Sequence, residues 1–254
     1  MNDTVLRGGT VWLDERGMVN ADVVIADGRI TEIATSGTGQ AANIVDVTGL
    51  TVLPGAIDAH IHLGHGTDIS RPRVPIDAIT ETGAAARGGV TSLIPYILSA
   101  EPYTDVFEEI VAVTESGARI DFGFHFVIAT EAQLAEVAML CQKGSPTAKL
   151  FMNIRGDEGK RLGLPGTNDG FLFRLLERLA ENGGMLCPHP ENIEVAWVLR
   201  DRVMAQPEAE RDTLAAWNAT RPPFVEAEAL SRAAYFDRPG SISSFKSGSA
   251  PGTG

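Results

Sequence analysis

Basic side chains and cysteines are scarce in this sequence, and long apolar runs are missing from it. Lysine and arginine total 21 against 33 aspartates and glutamates, which leaves a formal net charge of −12. Nucleic acids and anionic membranes attract clustered positive charge, so this balance argues against both as partners. No apolar run approaches the roughly 20 residues of a membrane helix, and the first residues lack the pattern of a secretion signal. We therefore expect a cytoplasmic protein.

The sequence also lacks paired cysteines and several common catalytic motifs. The chain has two cysteines, Cys141 and Cys187, which form no Cys-x-x-Cys pair, so we interpret them as reduced thiols. The sequence also lacks a phosphate-binding Gly-x-x-x-x-Gly-Lys-Ser/Thr loop, a Gly-x-Ser-x-Gly nucleophile elbow and a His-Glu-x-x-His helix. The common signatures of nucleotide, ester and zinc-peptidase chemistry are therefore not present.

Residues 1–53 carry the pattern of short strands joined by tight turns. Apolar and polar residues alternate with a period near two, which is typical of a sheet with one face in water. Asp27-Gly28 separates two of the β-rich segments as a hairpin signal. The segments are Thr4–Leu6, Thr10–Leu13, Ala21–Ala26, Arg29–Ile33 and Ile44–Val47. We expect a small β-layer over residues 4–53.

The pattern changes at Pro54-Gly55 into apolar runs that alternate with helical segments. The runs start roughly 26 to 37 residues apart, a usual size for a strand–helix unit. They are Ala56–His62, Val90–Tyr96, Phe122–Ile128, Ala148–Ile154 and Met185–Glu191. This predicts an α/β fold, in which apolar parallel strands form a barrel or a doubly wound sheet with helices outside.

Local signals mark two of the helices between these runs. Thr130-Glu-Ala-Gln133 is a capping box that predicts a helix start, and Gly144 predicts its end. A second helix is indicated by an apolar stripe at helical spacing. The stripe consists of Phe171, Leu172, Leu175, Leu176 and Leu179.

The number of strand–helix units falls short of a closed barrel. We count about five units, whereas a closed (β/α)8 barrel needs eight. Residues 239–254 include eleven Gly, Ser or Pro, a composition that does not supply a core strand. We therefore expect a partial (β/α)8 barrel over residues 54–236, followed by a flexible tail over residues 237–254.

The sharpest chemical feature is Asp58-Ala-His60-Ile-His62, at the end of the first apolar run. Alternate side chains of a strand point to the same face, so His60 and His62 are predicted to face the same way. Two imidazoles at the carboxyl end of a barrel strand suit a divalent metal. The alternative is a pair of surface histidines at a strand end.

Lys149 lies in the otherwise apolar run Ala148–Ile154. A charged ammonium is costly to bury. Either its head reaches solvent or a carboxylate, or its pKa falls and it takes part in chemistry. The residues alone leave both alternatives open.

Four other residues have weaker signals. His189 ends the run Met185–Glu191, and Cys187 would share its face in an extended strand. A histidine in this position is more often structural than a ligand, and we interpret Cys187 as a small core residue. His65 is a loop residue near the His-x-His segment, and His125 is expected to be a hydrogen-bonded core histidine.

Taken together, these motifs resemble the amidohydrolase superfamily, and most of all its cyclic amidohydrolases of the hydantoinase, dihydropyrimidinase and dihydroorotase type. The resemblance covers residues 4 to about 236 and rests on five motifs in the family's order. They are Pro54-Gly-Ala-Ile-Asp-Ala-His60-Ile-His62, Ala85-Ala-Arg-Gly-Gly-Val-Thr91, Ala148-Lys149-Leu-Phe-Met152, His189-Pro-Glu-Asn192 and Arg221-Pro-Pro-Phe-Val-Glu-Ala-Glu-Ala229.

The resemblance implies roles for four of these residues. His60 and His62 would bind one metal, His189 would bind a second, and a carboxylated Lys149 would bridge the two. It implies two zinc ions as cofactor, hydrolysis of a carbon–nitrogen bond in a small cyclic amide, and a homo-oligomer, although the sequence leaves this chain's own oligomeric state open. Residues 1–53 would be the N-terminal part of a small β-sandwich domain.

The sequence also departs from the family's pattern. The family has a further histidine on the sixth barrel strand and a catalytic aspartate on the eighth. No histidine follows His189 here, and the later aspartates, Asp201, Asp212 and Asp237, lie in predicted helical or tail segments, so the expected catalytic aspartate is absent. The family's substrate-contacting tyrosine, five residues after the lysine, is replaced by Ile154. We therefore expect a chain that is cut short and impaired in catalysis. The alternative is a non-catalytic scaffold related to dihydropyrimidinase, or an inactive fragment.

Overall fold

A computed structural model describes residues 3–64, 70–161 and 163–237. His65 and the predicted flexible tail from Pro239 lie outside the described residues. The chain divides into two compact units, Met1–Ala56 and Ile57–Gly254. Each unit is built around its own sheet.

The first unit is a five-stranded sheet in the order β3-β2-β1-β4, with β5 paired to β1, within the described residues. Strand β1 runs antiparallel to β2 and parallel to β4 and β5. The strands are β1 (Thr4–Leu13), β2 (Gly17–Ala26), β3 (Arg29–Thr35), β4 (Asn43–Asp46) and β5 (Thr51–Val52).

Strand β1 is continuous, whereas the sequence predicted two strands, at Thr4–Leu6 and Thr10–Leu13. Its register against β2 shifts between Leu6 and Gly9, as in a β-bulge. Gly8 within the shift has a φ of +81°, and a Cβ there would lie 2.6 Å from the Thr48 hydroxyl oxygen. Glycine at this position therefore bends one long strand.

The turn predicted at Asp27-Gly28 is confirmed. It joins β2 to β3 next to the Ala26–Arg29 pair. Asp27 and Gly28 have φ values of 51° and 69°, and positive φ at both central residues is typical of a type I′ hairpin turn.

The expectation of one fully wet sheet face is wrong at the centre of β2. Val23 and Val24 point to opposite faces, yet they are 3% and 0% exposed. The chain near Gly39 covers the Val24 face, because the buried Asp22 carboxylate accepts hydrogen bonds from the backbone N–H groups of Gly8 and Gly39 at 2.9 and 3.0 Å. Burial raises the pKa of Asp22, but backbone hydrogen bonds and Arg7 outweigh it, so the net shift is downward.

The second unit contains a curled parallel sheet with the strand order β11-β10-β9-β7-β6, and β8 also pairs with β7, within the described residues. The strands are β6 (Ala56–Ile61), β7 (Val90–Ile97), β8 (Asp121–Phe122), β9 (His125–Val127), β10 (Thr147–Phe151) and β11 (Met185–His189). The predicted run Phe122–Ile128 is thus divided into β8 and β9, and the Gly123 N–H between them bonds to Leu93 O at 2.9 Å. The predicted partial barrel is confirmed.

Helices follow the strands along the chain. Within the described residues they are α1 (Pro75–Arg87), α2 (Tyr103–Gly117), α3 (Glu131–Gln142), α4 (Gly156–Arg161), α5 (Asp169–Glu181), α6 (Ile193–Met204), α7 (Glu208–Arg211), α8 (Leu214–Ala219) and α9 (Pro223–Phe236). None of these helices is long and apolar enough to cross a membrane.

Both local helix predictions are confirmed. Thr130 caps α3 by accepting a hydrogen bond from Gln133 N, and Gly144 follows the helix with a φ of +88°. All five residues of the predicted stripe on α5 are buried. They join a core with Phe126 and Leu150, which point from β9 and β10 toward the helices. The alternating residues of those strands therefore point to the concave side of the sheet.

Candidate metal centre

The concave face of the curled sheet carries the chemically active side chains. Because strand side chains alternate, Lys149 and Phe151 of β10 share this face, while Leu150 between them joins the helix-side core. In the parallel pairing of β10 with β11, Lys149 lies opposite Cys187 and Phe151 lies opposite His189. Lys149, Cys187 and His189 therefore lie on one surface.

Tyr96, near the end of β7, is the centre of this surface. Its ring is 5% exposed. The ring centroid lies 4.8 Å from that of His60 and 6.0 Å from that of His62. The ring also stacks on that of His125 at a centroid distance of 4.6 Å, and the Lys149 Nζ lies 4.7 Å from the Tyr96 centroid. Three of the four predicted ligands, His60, His62 and Lys149, thus meet around one aromatic ring.

Burial is the largest cause that raises the pKa of Tyr96 to about 12, and the nearby Cys187 on β11 raises it further. The phenol is therefore protonated at neutral pH.

Lys149 is 4% exposed, so little of its side chain reaches solvent. Among the described residues, no carboxylate oxygen lies within 4 Å of its Nζ. Its neighbours are two aromatic rings, those of Tyr96 and of Phe151, whose centroid lies 5.1 Å away. Burial lowers the pKa of Lys149, and the Cys187 thiol opposes that shift. This environment favours the neutral amine, which is the nucleophilic form.

His125 is buried beside these residues and is hydrogen-bonded, as expected. Its Nδ1 bonds to the Thr147 hydroxyl on the adjacent strand. Burial is the largest cause that lowers the pKa of His125, and the nearby His60 and Lys149 lower it further. A neutral imidazole therefore stacks against the ring of Tyr96.

His189 is set apart from the other three predicted ligands. Its ring contacts Phe151 at a centroid distance of 5.6 Å, and Phe151 in turn contacts Lys149. Its Nε2 lies 3.3 Å from a carboxylate oxygen of Glu191. Phe151 therefore contacts both His189 and Lys149, whereas no direct contact of His189 with the residues around Tyr96 is seen among the described residues.

Glu191 organises the segment around His189. It accepts a hydrogen bond from Asn153 Nδ2 at 2.9 Å and forms an ion pair with Arg221 Nε at 2.8 Å. The Arg221 guanidinium also stacks on Trp217, 4.0 Å from the ring centroid. These contacts link the His189-Pro-Glu-Asn192 motif to the start of the Arg221-Pro-Pro motif.

A cavity of about 570 Å³ opens beside this network. His189, Glu191, Asn153, Trp217 and Arg221 are among its lining residues, whereas His60, His62 and Lys149 are not. The cavity thus adjoins His189 and not the residues around Tyr96. Its polar groups and volume suit a small polar molecule.

Ile154 occupies the position of the family's substrate-contacting tyrosine. It is 4% exposed and packs with Val127, Ala129 and Leu164. The side chain is therefore part of an apolar cluster and offers no hydroxyl to the concave face.

The donor set around Tyr96 fits a divalent metal in part. The centroids of His60 and His62 are 6.4 Å apart, and two imidazoles that share a zinc ion at Zn–N distances of about 2.0–2.1 Å have centroids roughly 5–6 Å apart. A small approach of the two rings would allow a shared ion. Within the described residues, however, no group of three or more His, Cys, Asp or Glu side chains is placed to hold a metal. Among the described residues, Lys149 is the third donor that the sequence predicts at this position.

Two features of this surface were missed by the sequence reasoning. Tyr96 was recognised only as the end of an apolar run, although a polar ring at the carboxyl end of a barrel strand is a signal for a site residue. The link of Arg221 to Glu191 joins two motifs that were recognised separately.

The chain is similar to known proteins in sequence and in structure. No protein-family profile matches the chain. A D-hydantoinase of Streptomyces coelicolor is 31% identical over 239 residues, which cover 91% of this chain and 48% of that enzyme. An allantoinase of Enterococcus faecalis is 32% identical over 239 residues, covering 92% and 51%. A solved D-hydantoinase structure superposes with a TM-score of 0.75 at 28% identity, covering 91% of this chain and 48% of its own.

The relatives agree in sequence and in fold, and they are hydrolases of cyclic amides. The chain spans about half the length of the curated relatives that it matches. Over 91% of its residues, this chain is a homologue of the hydantoinase and allantoinase group of cyclic amidohydrolases.

Proposed function

We propose that this chain carries part of the catalytic centre of a metal-dependent cyclic amidohydrolase. In this proposal His60, His62 and Lys149 hold one divalent metal, and Lys149 with His189 contributes to a second. The substrate is a small cyclic amide of the hydantoin, dihydropyrimidine, dihydroorotate or allantoin type. Zinc is the proposed metal, because imidazole nitrogens and carboxylate oxygens are its usual ligands in hydrolases.

The observation that carries the proposal is the environment of Lys149. A lysine that is 4% exposed, has no carboxylate within 4 Å among the described residues and faces two aromatic rings has no evident structural function. A buried ammonium group without a carboxylate partner destabilises a fold, and such groups concentrate at functional sites. Two histidines on the same concave face supply the most direct explanation.

The neutral amine of Lys149 allows it to become a metal ligand. Its lone pair attacks the carbon of carbon dioxide, a new N–C bond forms, and one C=O electron pair moves onto oxygen. One proton leaves Nζ for water, and the product is a carbamate whose single negative charge is shared by two oxygens. An uncharged nitrogen donor thereby becomes an oxygen ligand able to bridge two cations.

Bound ions would supply Lewis acidity that polarises an amide carbonyl and makes water nucleophilic near neutral pH. The residues of this chain position and shield that chemistry. His125 supports Tyr96 through ring stacking, and Glu191 restrains Arg221 and Asn153 beside the cavity next to His189. That cavity is the proposed approach for the cyclic amide.

We also propose that residues 1–254 alone have low activity. The family resemblance implies a later histidine and a catalytic aspartate, and this chain has no histidine after His189. The loss of a positioned proton-transfer group costs about 10²–10⁴-fold in rate. Metal affinity should also be weakened, because it depends on a complete set of ligands.

The test combines metal content with ring-opening assays. Residues 1–254, His60→Ala, Lys149→Ala and the distant control Lys143→Ala are loaded with zinc and bicarbonate, and zinc per chain is measured after gel filtration. Each protein is then assayed with hydantoin, dihydrouracil, dihydroorotate and allantoin. We expect zinc in the parent and in Lys143→Ala, with a large loss in the other two variants.

Two outcomes would overturn the proposal. Equal zinc content in all four proteins would show that His60 and Lys149 are not ligands. Absence of zinc from all of them, with the native circular dichroism spectrum retained, would instead support a non-catalytic scaffold.

A further inference from the structure

Glu191 joins the predicted ligand His189 to Arg221 through its two carboxylate oxygens. Oε2 lies 3.3 Å from His189 Nε2, and it also accepts a hydrogen bond from Asn153 Nδ2 at 2.9 Å. Oε1 lies 2.8 Å from Arg221 Nε. The Glu191 side chain is 12% exposed, so water has little access to compete for these contacts.

The backbone on both sides of Glu191 is hydrogen-bonded to other elements. At the end of β11, the His189 carbonyl oxygen accepts a hydrogen bond from Met152 N at 3.1 Å. On the other side, Asn192 is the N-cap of α6, and its N–H donates to Val225 O at 3.1 Å. Glu191 is therefore held beside the imidazole by the fold as well as by its own side-chain contacts.

These contacts determine which ring nitrogen of His189 carries the proton. A carboxylate oxygen only accepts hydrogen bonds, so the hydrogen between His189 and Glu191 has to be bonded to Nε2. The neutral imidazole has one N–H group, and Nδ1 then carries a lone pair. That lone pair is what a divalent metal binds. Arg221 can only donate, so it holds the carboxylate in this orientation through the other oxygen.

We infer that Glu191 and Arg221 are positioning residues that leave Nδ1 of His189 as the nitrogen that binds metal. Carboxylates commonly fix the tautomer and the ring orientation of metal-binding histidines in this way. Arg221 acts on His189 through Glu191, which gives the arginine of the Arg-Pro-Pro motif a role in the site. The metal rests on the proposed function, whereas the hydrogen-bonding pattern of the metal-free chain does not.

The variant Glu191→Gln should move the proton to the other ring nitrogen. Because Arg221 only donates, the oxygen of the new amide should face Arg221 and its NH2 group should face His189. An NH2 group donates, so Nε2 has to become the acceptor and the ring proton has to be on Nδ1. Asn153 accommodates the change by turning its own amide over, so that its carbonyl oxygen faces the new NH2 group.

Nitrogen-15 NMR of the metal-free protein with labelled histidine tests this switch, at a pH where the imidazole shifts no longer change. The His189 signals are identified by their loss in His189→Gln. We expect Nε2–H in the parent and Nδ1–H in Glu191→Gln. The control Glu194→Gln changes another Glu–Arg pair, with Arg155 at 3.3 Å, and should keep Nε2–H. Titration with Co²⁺ should show an affinity at least about 10-fold lower in Glu191→Gln and unchanged in Glu194→Gln.

The double variant Glu191→Gln/Arg221→Met tests the part of Arg221. Without the arginine, the amide oxygen is free to turn back toward His189, where Asn153 and Nε2 can both donate to it. We expect the proton to return to Nε2. A proton that stays on Nδ1 in this double variant would show that Arg221 does not act through Glu191.

A parent spectrum with the proton on Nδ1 would overturn the inference, and it decides the matter even if Glu191→Gln fails to fold. Retention of Nε2–H in Glu191→Gln with native circular dichroism would overturn it as well. The expected proton switch in a chain that binds no Co²⁺ would leave the hydrogen-bonding pattern standing and refute the metal centre. Binding of Co²⁺ that depends on His60, without the proton switch, would refute the positioning role alone.

Discussion

Replacing Lys149 with methionine should stabilise the second unit, although it removes a residue that we place in the candidate site. Methionine has a similar length and no polar head group, so it can occupy the space between the Tyr96 and Phe151 rings. A buried polar group without a partner costs about 1–3 kcal/mol. Cation–π contacts of the charged form offset about 0.5–2 kcal/mol of that cost. The net expectation is a gain of about 1 kcal/mol, or roughly 2–4 °C in Tm for a unit of this size.

The stability gained by Lys149→Met should depend on pH, and the direction follows from the pKa of Lys149. Burial lowers the pKa of Lys149 in the folded state, so the unfolded chain binds more protons between the folded pKa and the unfolded value of about 10.4. The stability of the parent protein therefore rises with pH across that window. The advantage of Lys149→Met should be largest near neutral pH and should shrink as the pH approaches 10.

The assay is urea unfolding in metal-free buffer depleted of carbon dioxide, followed by the fluorescence of Trp197 and Trp217. Lys143→Met is the matched control, because the Lys143 Nζ forms an exposed ion pair with Glu108 at 2.6 Å. That change should cost about 0–1 kcal/mol. If Lys149→Met is as destabilising as the control, or more so, the amine has a stabilising partner and our description of its environment fails.

Three other substitutions test the surroundings. Asp22→Ala should destabilise the first unit by about 2–4 kcal/mol, because it leaves buried backbone N–H groups without acceptors. Since the folded pKa of Asp22 is lowered, this cost should begin to shrink in urea titrations as the pH falls below about 4 and should keep shrinking down to the folded pKa. Ile154→Tyr should lower the Tm through overpacking of about 1–3 kcal/mol and a buried hydroxyl, and a rise in Tm would contradict the packing described. Glu191→Ala should cost about 1.5–3 kcal/mol in urea unfolding, because the partly buried Arg221 loses its charged partner, whereas an effect below about 1 kcal/mol would show that the ion pair is only a surface contact.

Features encoded within a few consecutive residues could be predicted from the sequence. The cap at Thr130, the turn at Asp27-Gly28 and the buried stripe on α5 depend on local backbone preferences and on helical periodicity. The placement of His60 and His62 on one side follows in the same way from strand alternation. The partial barrel could be predicted because strand–helix units recur at a regular spacing.

Features that depend on how the sheet curls could not be predicted in this way. The contact of Lys149 with the Tyr96 ring joins β10 to β7, which are separated by one strand, and no local sequence pattern encodes this contact. The ring of Phe151 between Lys149 and His189 has the same origin. The folding of the chain near Gly39 onto Asp22 depends on a hydrogen bond between residues 17 positions apart.

The central claim is that Lys149 becomes a carbamate that holds metal together with His60 and His62. Carbon-13 NMR of the zinc-loaded protein in labelled bicarbonate tests it most directly. We predict a slowly exchanging carbamate carbonyl signal that is absent from Lys149→Met, is lost when zinc is removed, and is strongly reduced in His60→Ala. A zinc-loaded parent protein without this signal, or a signal that persists in Lys149→Met, would contradict the claim.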